Sequence, residues 1–218
     1  MLSHSRPEGR TILSVDGAER RFGDLVVFSD VSFDVAAGRC CALVGANGAG
    51  KTTLLNCVIG ADRLDDGTVT VCGESVDEAS PHFRRAVAAV VGDVATFPHL
   101  TTHEHLQLVA SGHGMPDPYG LATRTLDDVG LTSARDQLPV TLSSGQRHRL
   151  ALASVLVRPS ELLVLDEPEQ HLDADGREWL AATVQRIASE GTAILIVSHD
   201  AALVTAVADD TVDGDSWR

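Results

Sequence analysis

The sequence predicts an α/β fold built on a largely parallel sheet, and three observations carry that prediction. Largely apolar runs at residues 40–44, 161–165 and 193–197 have the length of strands buried on both faces. Segments of helical patterning alternate with them, so the connections read as crossovers and the strands as parallel. Each run stops where polar residues begin, at Val44, Leu165 and Val197. Ligands in such sheets sit at the carboxyl ends of the strands, so one site is implied.

From the amino terminus, residues 11–16 and 31–35 alternate apolar and polar side chains as half-buried strands do, with Glu19-Arg-Arg-Phe-Gly23 between them. Phe22 reads by periodicity as a core aromatic, with a stacking platform for an adenine ring as the alternative. The strand at 40–44 stops at Gly45. Gly45-Ala-Asn-Gly-Ala-Gly50-Lys51-Thr52 then fits G-x-x-x-x-G-K-[ST], and a helix runs from Lys51 through Leu54-Leu55 to Ile59, ended by Gly60.

Strand, loop and helix in that order are the setting a phosphate-binding loop requires. Its glycines let backbone N–H groups close on a phosphate where a Cβ would obstruct or demand positive φ. The helix points the positive end of its dipole at the same anion. In such loops the lysine, here Lys51, reaches the β- and γ-phosphates, and the hydroxyl, here Thr52, binds Mg²⁺.

Further on, Thr68-Val-Thr-Val-Cys72 follows an Asp65-Asp-Gly67 turn and reads as a strand, and residues 84–91 end in the buried-looking run Val87-Ala-Ala-Val-Val91. Pro98 breaks the next segment, and Thr102 is placed to cap a helix through Leu106, Leu108 and Val109. A second helix is expected from Tyr119 to Val129, stopped by Gly130, and a long one from Leu142-Ser-Ser-Gly-Gln146 through Leu156, closed before Pro159. The strand at 161–165 runs into Asp166-Glu167. Asp173 or Asp175 then caps a helix through Ile187, and after Gly191 the last buried strand leads to Ser198-His199-Asp200.

Four histidines, His99, His103, His105 and His113, cluster in the middle of the chain and invite a metal reading. His103 and His105 are two apart, which a helix places on different faces, and no zinc-type spacing occurs. They read as the solvated surface of a small helical region.

With 218 residues the chain is long enough for one α/β domain with a sizeable core. Its apolar runs fall far short of the ~20 residues of a membrane span, and the polar start lacks the apolar stretch of a secretion signal. A cytosolic place is expected unless a partner carries the protein to a membrane. The four cysteines include no Cys-x-x-Cys pair, and adjacent Cys40 and Cys41 point to opposite faces of a strand, so small buried thiols are expected. A net charge of −14 argues against nucleic acid as a partner. It does not argue against a nucleotide. Surface carboxylates are screened beyond ~8 Å at physiological salt, whereas loop N–H groups, Lys51 and Mg²⁺ act at contact.

Four features in order, residues 45–52, Leu142-Ser-Ser-Gly-Gln146, Leu162-Leu-Val-Leu-Asp-Glu167 and His199 after an apolar strand, make the chain resemble the ATP-binding subunit of an ABC transporter. The resemblance runs from Thr11 to about Asp210. The phosphate loop alone indicates only an NTPase; the Leu-Ser-Ser-Gly-Gln signature ahead of the Asp-Glu strand end is the specific marker.

The resemblance implies a P-loop NTPase fold of one domain across residues 1–218. An ATP-binding core (11–100 and 160–210) with an N-terminal antiparallel β region carries an inserted helical subdomain (101–159). It implies two subunits facing head to tail with ATP and Mg²⁺ between them, Ser143, Ser144, Gly145 and Gln146 of each meeting the γ-phosphate held by the other's loop. Gly45, Asn47, Gly48, Ala49, Gly50, Lys51, Thr52 and Thr53 match the nucleotide-holding loop, and Phe22 matches the adenine-stacking aromatic. Thr52 and Asp166 match the Mg²⁺ site. Glu167 matches the general base and His199 the switch histidine, which with Lys51 form the catalytic set. Asp173 matches the loop that crosses the dimer interface.

Two departures stand out. The family's usual glutamine before the helical subdomain, a Mg²⁺ contact, falls here on Gly92, which has no ligand atom, or on Asp93, which offers a charged oxygen. Gln170 stands where the interface loop usually has Ser or Thr, and Ser144 replaces the signature's first glycine. The first bears on coupling to the membrane partner more than on ATP binding; the changes at Gln170 and Ser144 are mild, and hydrolysis is still expected. The resemblance implies the ATPase motor of a transporter whose membrane-spanning permease is a separate chain. A homo- or heterodimer would sit on the inner face of the cell membrane, and the compact single cassette resembles efflux-type subunits, so export is the expected direction. A non-transport ABC ATPase, or a regulatory nucleotide-binding module with little turnover, is the alternative.

Overall fold

The computed structural model describes residues 9–92 and 96–217. In chain order, β1 (Thr11–Phe22) and β2 (Leu25–Ala36) form a long hairpin, and β3 (Cys40–Val44) runs into α1 (Lys51–Val58). β4 (Asp66–Val71), β5 (Glu74–Ser75), α2 (Pro81–Ala86) and β6 (Val87–Val90) follow. α3 (Thr102–Gly112), α4 (Pro118–Asp128) and α5 (Ser144–Leu156) make a helical region. β7 (Leu162–Asp166), α6 (Ala174–Ser189), β8 (Ala193–Val197), α7 (Ala201–Val207) and β9 (Asp210–Asp213) complete the core.

The strands sort into two sheets. One is antiparallel, in the order β2-β1-β4-β5; the other is parallel, in the order β6-β7-β8-β3-β9. The expected α/β class with an antiparallel N-terminal region is what the chain adopts. The hairpin is longer than alternation alone suggests. Register shifts after Val15 and Ala18 let Arg20, Arg21 and Phe22, which the sequence places in the connection from Glu19 to Gly23, stay paired with β2 down to Phe22 opposite Leu25.

Two core layers flank the parallel sheet. Between the sheets lie Phe28, Leu13, Leu43, Leu54 and Leu55, all completely or almost completely buried, with Trp217 set edge-on to Phe28 at 6.1 Å. On the other face α5, α6 and α7 bury Leu152, Leu180, Val184 and Leu203 against Leu163, Leu165 and Ile196. Cys41 belongs to the first layer and Cys40 to the second, as a period of two requires. Burial pushes the Cys40 thiol up to about 12, and that of Cys57 up to about 11, so these thiols are inert.

The helical region has its own core of Leu106, Ala110, Leu126, Leu131, Leu150 and Ala153. Helix α5 is buried on two sides, giving Leu150 and Ala153 to that core and Ala151, Leu152 and Val155 to the sheet. It therefore fixes the helical region to the parallel strands.

Two expectations fail here. Thr101, not Thr102, caps α3, in a reciprocal box with Glu104, while the buried Thr102 hydroxyl donates to Ala134 O at 2.7 Å and Arg135 O at 2.8 Å. His103 and His105 are not solvated; they are 4% and 2% exposed. They do sit on different sides of α3. His103 Nε2 meets Thr123 Oγ1 at 3.0 Å with its ring against Tyr119, and His105 Nε2 meets Ser154 Oγ at 2.9 Å. Satisfied hydrogen bonds on both sides let polar rings occupy positions that composition assigns to water. No three-ligand metal cluster exists among the described residues.

Candidate functional site: a nucleotide cleft at the strand ends

β7, β8 and β3 are neighbours in the sheet, so Asp166, Val197 and Val44 end on one edge. The glycine loop leaves β3 there. Gly50 caps α1 in the left-handed region at φ 98°, and a Cβ on it would lie 2.9 Å from Val27 Cγ1 and 3.2 Å from Phe28 Cδ1. Glycine is required on both counts. Lys51 is buried and folds back so that Nζ donates to Gly45 O at 2.8 Å and Ala46 O at 2.9 Å. The Asp215 carboxylate accepts from Ala46 N–H at 2.8 Å and holds the start of the loop. Val27, Asn47, Gly48, Gly50, Lys51, Thr52, Thr53, Glu167 and His199 line a cleft of about 330 Å³.

The carboxylates come from the end of β7. Asp166 Oδ2 accepts the Thr52 hydroxyl at 2.9 Å, while Oδ1 is buried without a partner. Burial pushes the Asp166 carboxyl up from its usual range, and the Thr52 hydrogen bond opposes that shift. An orphaned buried carboxylate oxygen beside a threonine hydroxyl is the donor set a hard divalent cation takes, so Mg²⁺ fits these residues. Asp93, the other expected ligand, lies outside the described residues; Gly92 is exposed with φ 61° and carries no donor.

Glu167 sits in the left-handed region at φ 48°, its N–H donating to Val197 O at 2.8 Å. That conformation costs on the order of 1–3 kcal/mol away from glycine and turns the side chain toward the cleft. Oε1 lies 3.3 Å from His199 Nε2, and Oε2 accepts the Gln170 amide. Gln170, noted in the sequence as a departure, therefore touches the very carboxylate read as the general base.

The signature opens α5. Ser143 caps the helix, accepting Gln146 N–H at 3.2 Å while Gln146 Oε1 accepts Ser143 N–H at 3.0 Å. Ser143 and Ser144 are exposed, and Gly145 is half-buried. None of residues 143–146 lines the cleft of Lys51 and Thr52. Ser144 instead lines a second cavity of about 560 Å³ with Arg147, His148, Asp166, Glu167 and Gln170. Asp173, and not Asp175, caps α6, its exposed carboxylate accepting Gly176 N–H at 3.0 Å and lying 3.3 Å from Arg149 Nη2.

Phe22 corrects the periodicity reading: it is 52% exposed at the tip of the hairpin, with the Arg20 guanidinium 4.6 Å from its ring centroid. Arg20 is itself clamped by Asp62 and Asp65. Sequence reasoning missed Arg20, Asp215 and the buried Glu169, because each acts through a contact far along the chain and no local pattern announces it.

A glycine loop opening a helix, a histidine just past the neighbouring strand β8 and an Asp-Glu pair at the end of the next strand, β7, define the class: a P-loop NTPase fold. The sequence profile of the ABC transporter family matches residues 28–170, and the chain belongs to that family. It is 35% identical over 212 residues to the sulfate/thiosulfate import ATP-binding protein CysA of Mycolicibacterium paratuberculosis, covering 96% of this chain and 58% of that protein. It is 37% identical over 183 residues to the Nod factor export ATP-binding protein I of Burkholderia lata, covering 83% and 60%. It is 35% identical over 204 residues to the Fe(3+) ions import ATP-binding protein FbpC of Streptomyces avermitilis, covering 92% and 59%. The chain thus spans about three fifths of the length of these curated relatives. A solved ATP-binding subunit of an ABC transporter superposes with a TM-score of 0.84 at 26% identity, over 93% of this chain and 85% of the other.

Proposed function

We propose that this chain binds and hydrolyses ATP to drive a membrane transporter, and that it works as one of a head-to-tail pair. The carrying observation is that, within one chain, none of the signature residues 143–146 lines the cleft of Lys51 and Thr52, while Ser143 and Ser144 are exposed. Two partial anion sites of this kind become complete when a second subunit supplies the missing half. The core of residues 11–100 and 160–210 then holds the nucleotide, and the helical subdomain of 101–159 offers its signature to the neighbour.

In this reading the loop from Gly45 to Thr53 cradles the phosphates through backbone N–H groups, Lys51 turns from the loop carbonyls to the β- and γ-phosphates, and the exposed Phe22 ring stacks on the base. Thr52 and Asp166 hold Mg²⁺, which when bound neutralises charge on the phosphate oxygens. Glu167 polarises the attacking water, and His199 orients it and contacts the γ-phosphate. Asp173 lies across the interface. Product release separates the subunits, because the γ-phosphate is what both surfaces share.

The partners in this proposal are transmembrane permease subunits on another chain and a second ATP-binding subunit. No described helix is long and apolar enough to cross a membrane, so the place on the inner face of the cell membrane comes through the permease. The relatives' names divide between import and export, so they favour neither direction and lend the export reading no support. Gly92, without a ligand atom, favours a second reading: a regulatory nucleotide-binding module with little turnover. ATPase rate, measured on the chain alone and on the complex that co-purifies with it from membranes, separates the two. Turnover stimulated by the membrane partner supports the motor; ATP binding with no turnover in either sample overturns it.

A further inference from the structure

We propose that Glu169 is a positioning residue, whose buried carboxylate anchors the turn that carries His199 and so sets the imidazole against Glu167. The proposal rests on the reading of His199 as a participant in turnover.

Glu169 is 8% exposed, and its Oε1 takes two donors from the segment after β8: the Ser198 hydroxyl at 2.6 Å and the His199 N–H at 3.1 Å. Ser198 Oγ in turn accepts Asp200 N–H at 3.0 Å, and Asp200 caps α7 through the N–H groups of Ala202 and Leu203. One carboxylate oxygen therefore fixes the backbone on the amino side of His199 directly, and the backbone on its carboxyl side through Ser198. Its other oxygen, Oε2, is buried and has no partner. Removing a carboxylate from water and leaving half of it unsatisfied is costly. Packing alone gives no reason for a charged group here, whereas a charge-assisted pair of bonds at a reacting histidine does.

The anchor also joins two loops that meet the nucleotide. Glu169 belongs to the segment that begins at the left-handed Glu167 and ends where Asp173 caps α6. Through its side chain that segment and the turn of residues 198–200 form one hydrogen-bonded unit.

ATPase kinetics of the full chain with its natural transporter complex test this, using Glu169→Ala, Glu169→Gln and Ser198→Ala, each alone and combined with His199→Ala. Glu169→Ala should lower kcat on the order of ten- to a hundredfold, the scale of a misplaced reacting group, with KM for ATP changed less than about twofold. Ser198→Ala should do the same more weakly. Glu169→Gln keeps an acceptor oxygen and should restore most of the rate. On the His199→Ala background, Glu169→Ala should cost less than about twofold more, since the two act as a unit. Parental turnover in folded Glu169→Ala, or a loss undiminished on the His199→Ala background, overturns the proposal. If Glu169→Ala does not fold, Ser198→Ala decides by the same comparison. Should His199→Ala itself turn over at the parental rate, it is the reading of His199 that has failed, whatever Glu169 does.

Discussion

The Thr52 hydroxyl donates to Asp166 Oδ2 at 2.9 Å, which joins the first turn of α1 to the carboxyl end of β7 across 114 positions of sequence. Among the described residues this is the one hydrogen bond of the Asp166 carboxylate, its other oxygen being buried and unpartnered. Thr52→Val keeps the shape and removes the donor. Asp166 Oδ2 then loses its protein donor in the apo protein, at a cost of about 0.5–1.5 kcal/mol in urea unfolding, the net worth of a typical hydrogen bond. The same variant should lose the Mg²⁺ dependence of ATP affinity. An unchanged urea midpoint would show that the bond contributes nothing to the fold.

Glu167→Gln removes the proposed base and leaves the ground-state contacts in place. ATP affinity should persist, the ATP-bound dimer should live longer, and turnover should fall by about 10²–10⁴, the usual worth of general base catalysis. Turnover at the parental rate would remove Glu167 from that role. Dimer lifetime, followed by size exclusion with ATP present, checks the second half of the expectation.

Buried histidines make stability depend on pH. Burial holds His105 below its ordinary value, and burial, with the Arg135 charge adding to it, does the same to His103. A neutral ring is therefore favoured in the folded chain. Above the unfolded value of ~6.5 both states are neutral and stability is at its full level. As pH falls through ~6.5 the unfolded chain takes up protons that the folded one refuses, and stability drops by at most about 1.4 kcal/mol per pH unit per histidine. The loss continues down to the lowered folded value. Urea midpoints between pH 8 and pH 5 should show this fall, and His105→Gln should remove the share that His105 contributes. An identical slope in that variant would refute the assignment.

The parallel core and the loop between β3 and α1 were legible because both are written locally: period in residues 40–44, 161–165 and 193–197, and a glycine pattern set between a strand and a helix. What was not legible depends on partners distant in sequence. His103 and His105 look like surface until Thr123 and Ser154 are seen to satisfy them. Phe22 looks like core because alternation does not say where a strand leaves its sheet, and Arg20 covers it only because Asp62 and Asp65 hold that guanidinium. Glu169 looks like any exposed glutamate after a proline, yet it is bonded to Ser198, 29 positions away.

If each reaction centre combines the phosphate loop of one subunit with the signature of the other, two defective copies can repair one another. Lys51→Ala spoils the loop, and Gly145→Asp places a carboxylate where the neighbour's γ-phosphate would lie. Each variant alone should be inactive, the first through weakened ATP affinity and the second with its own phosphate loop intact. In a mixed dimer both lesions fall in one site, and the other site is whole. Random mixing yields about half mixed dimers with one good site of two, so roughly a quarter of the parental rate is expected if the sites act independently. Strong coupling between sites lowers that figure but leaves it above both variants. Subunit exchange followed by fluorescence transfer shows when mixing is complete. No recovery at that point would mean that each chain builds its reaction centre from its own residues, and the head-to-tail arrangement would fall with it.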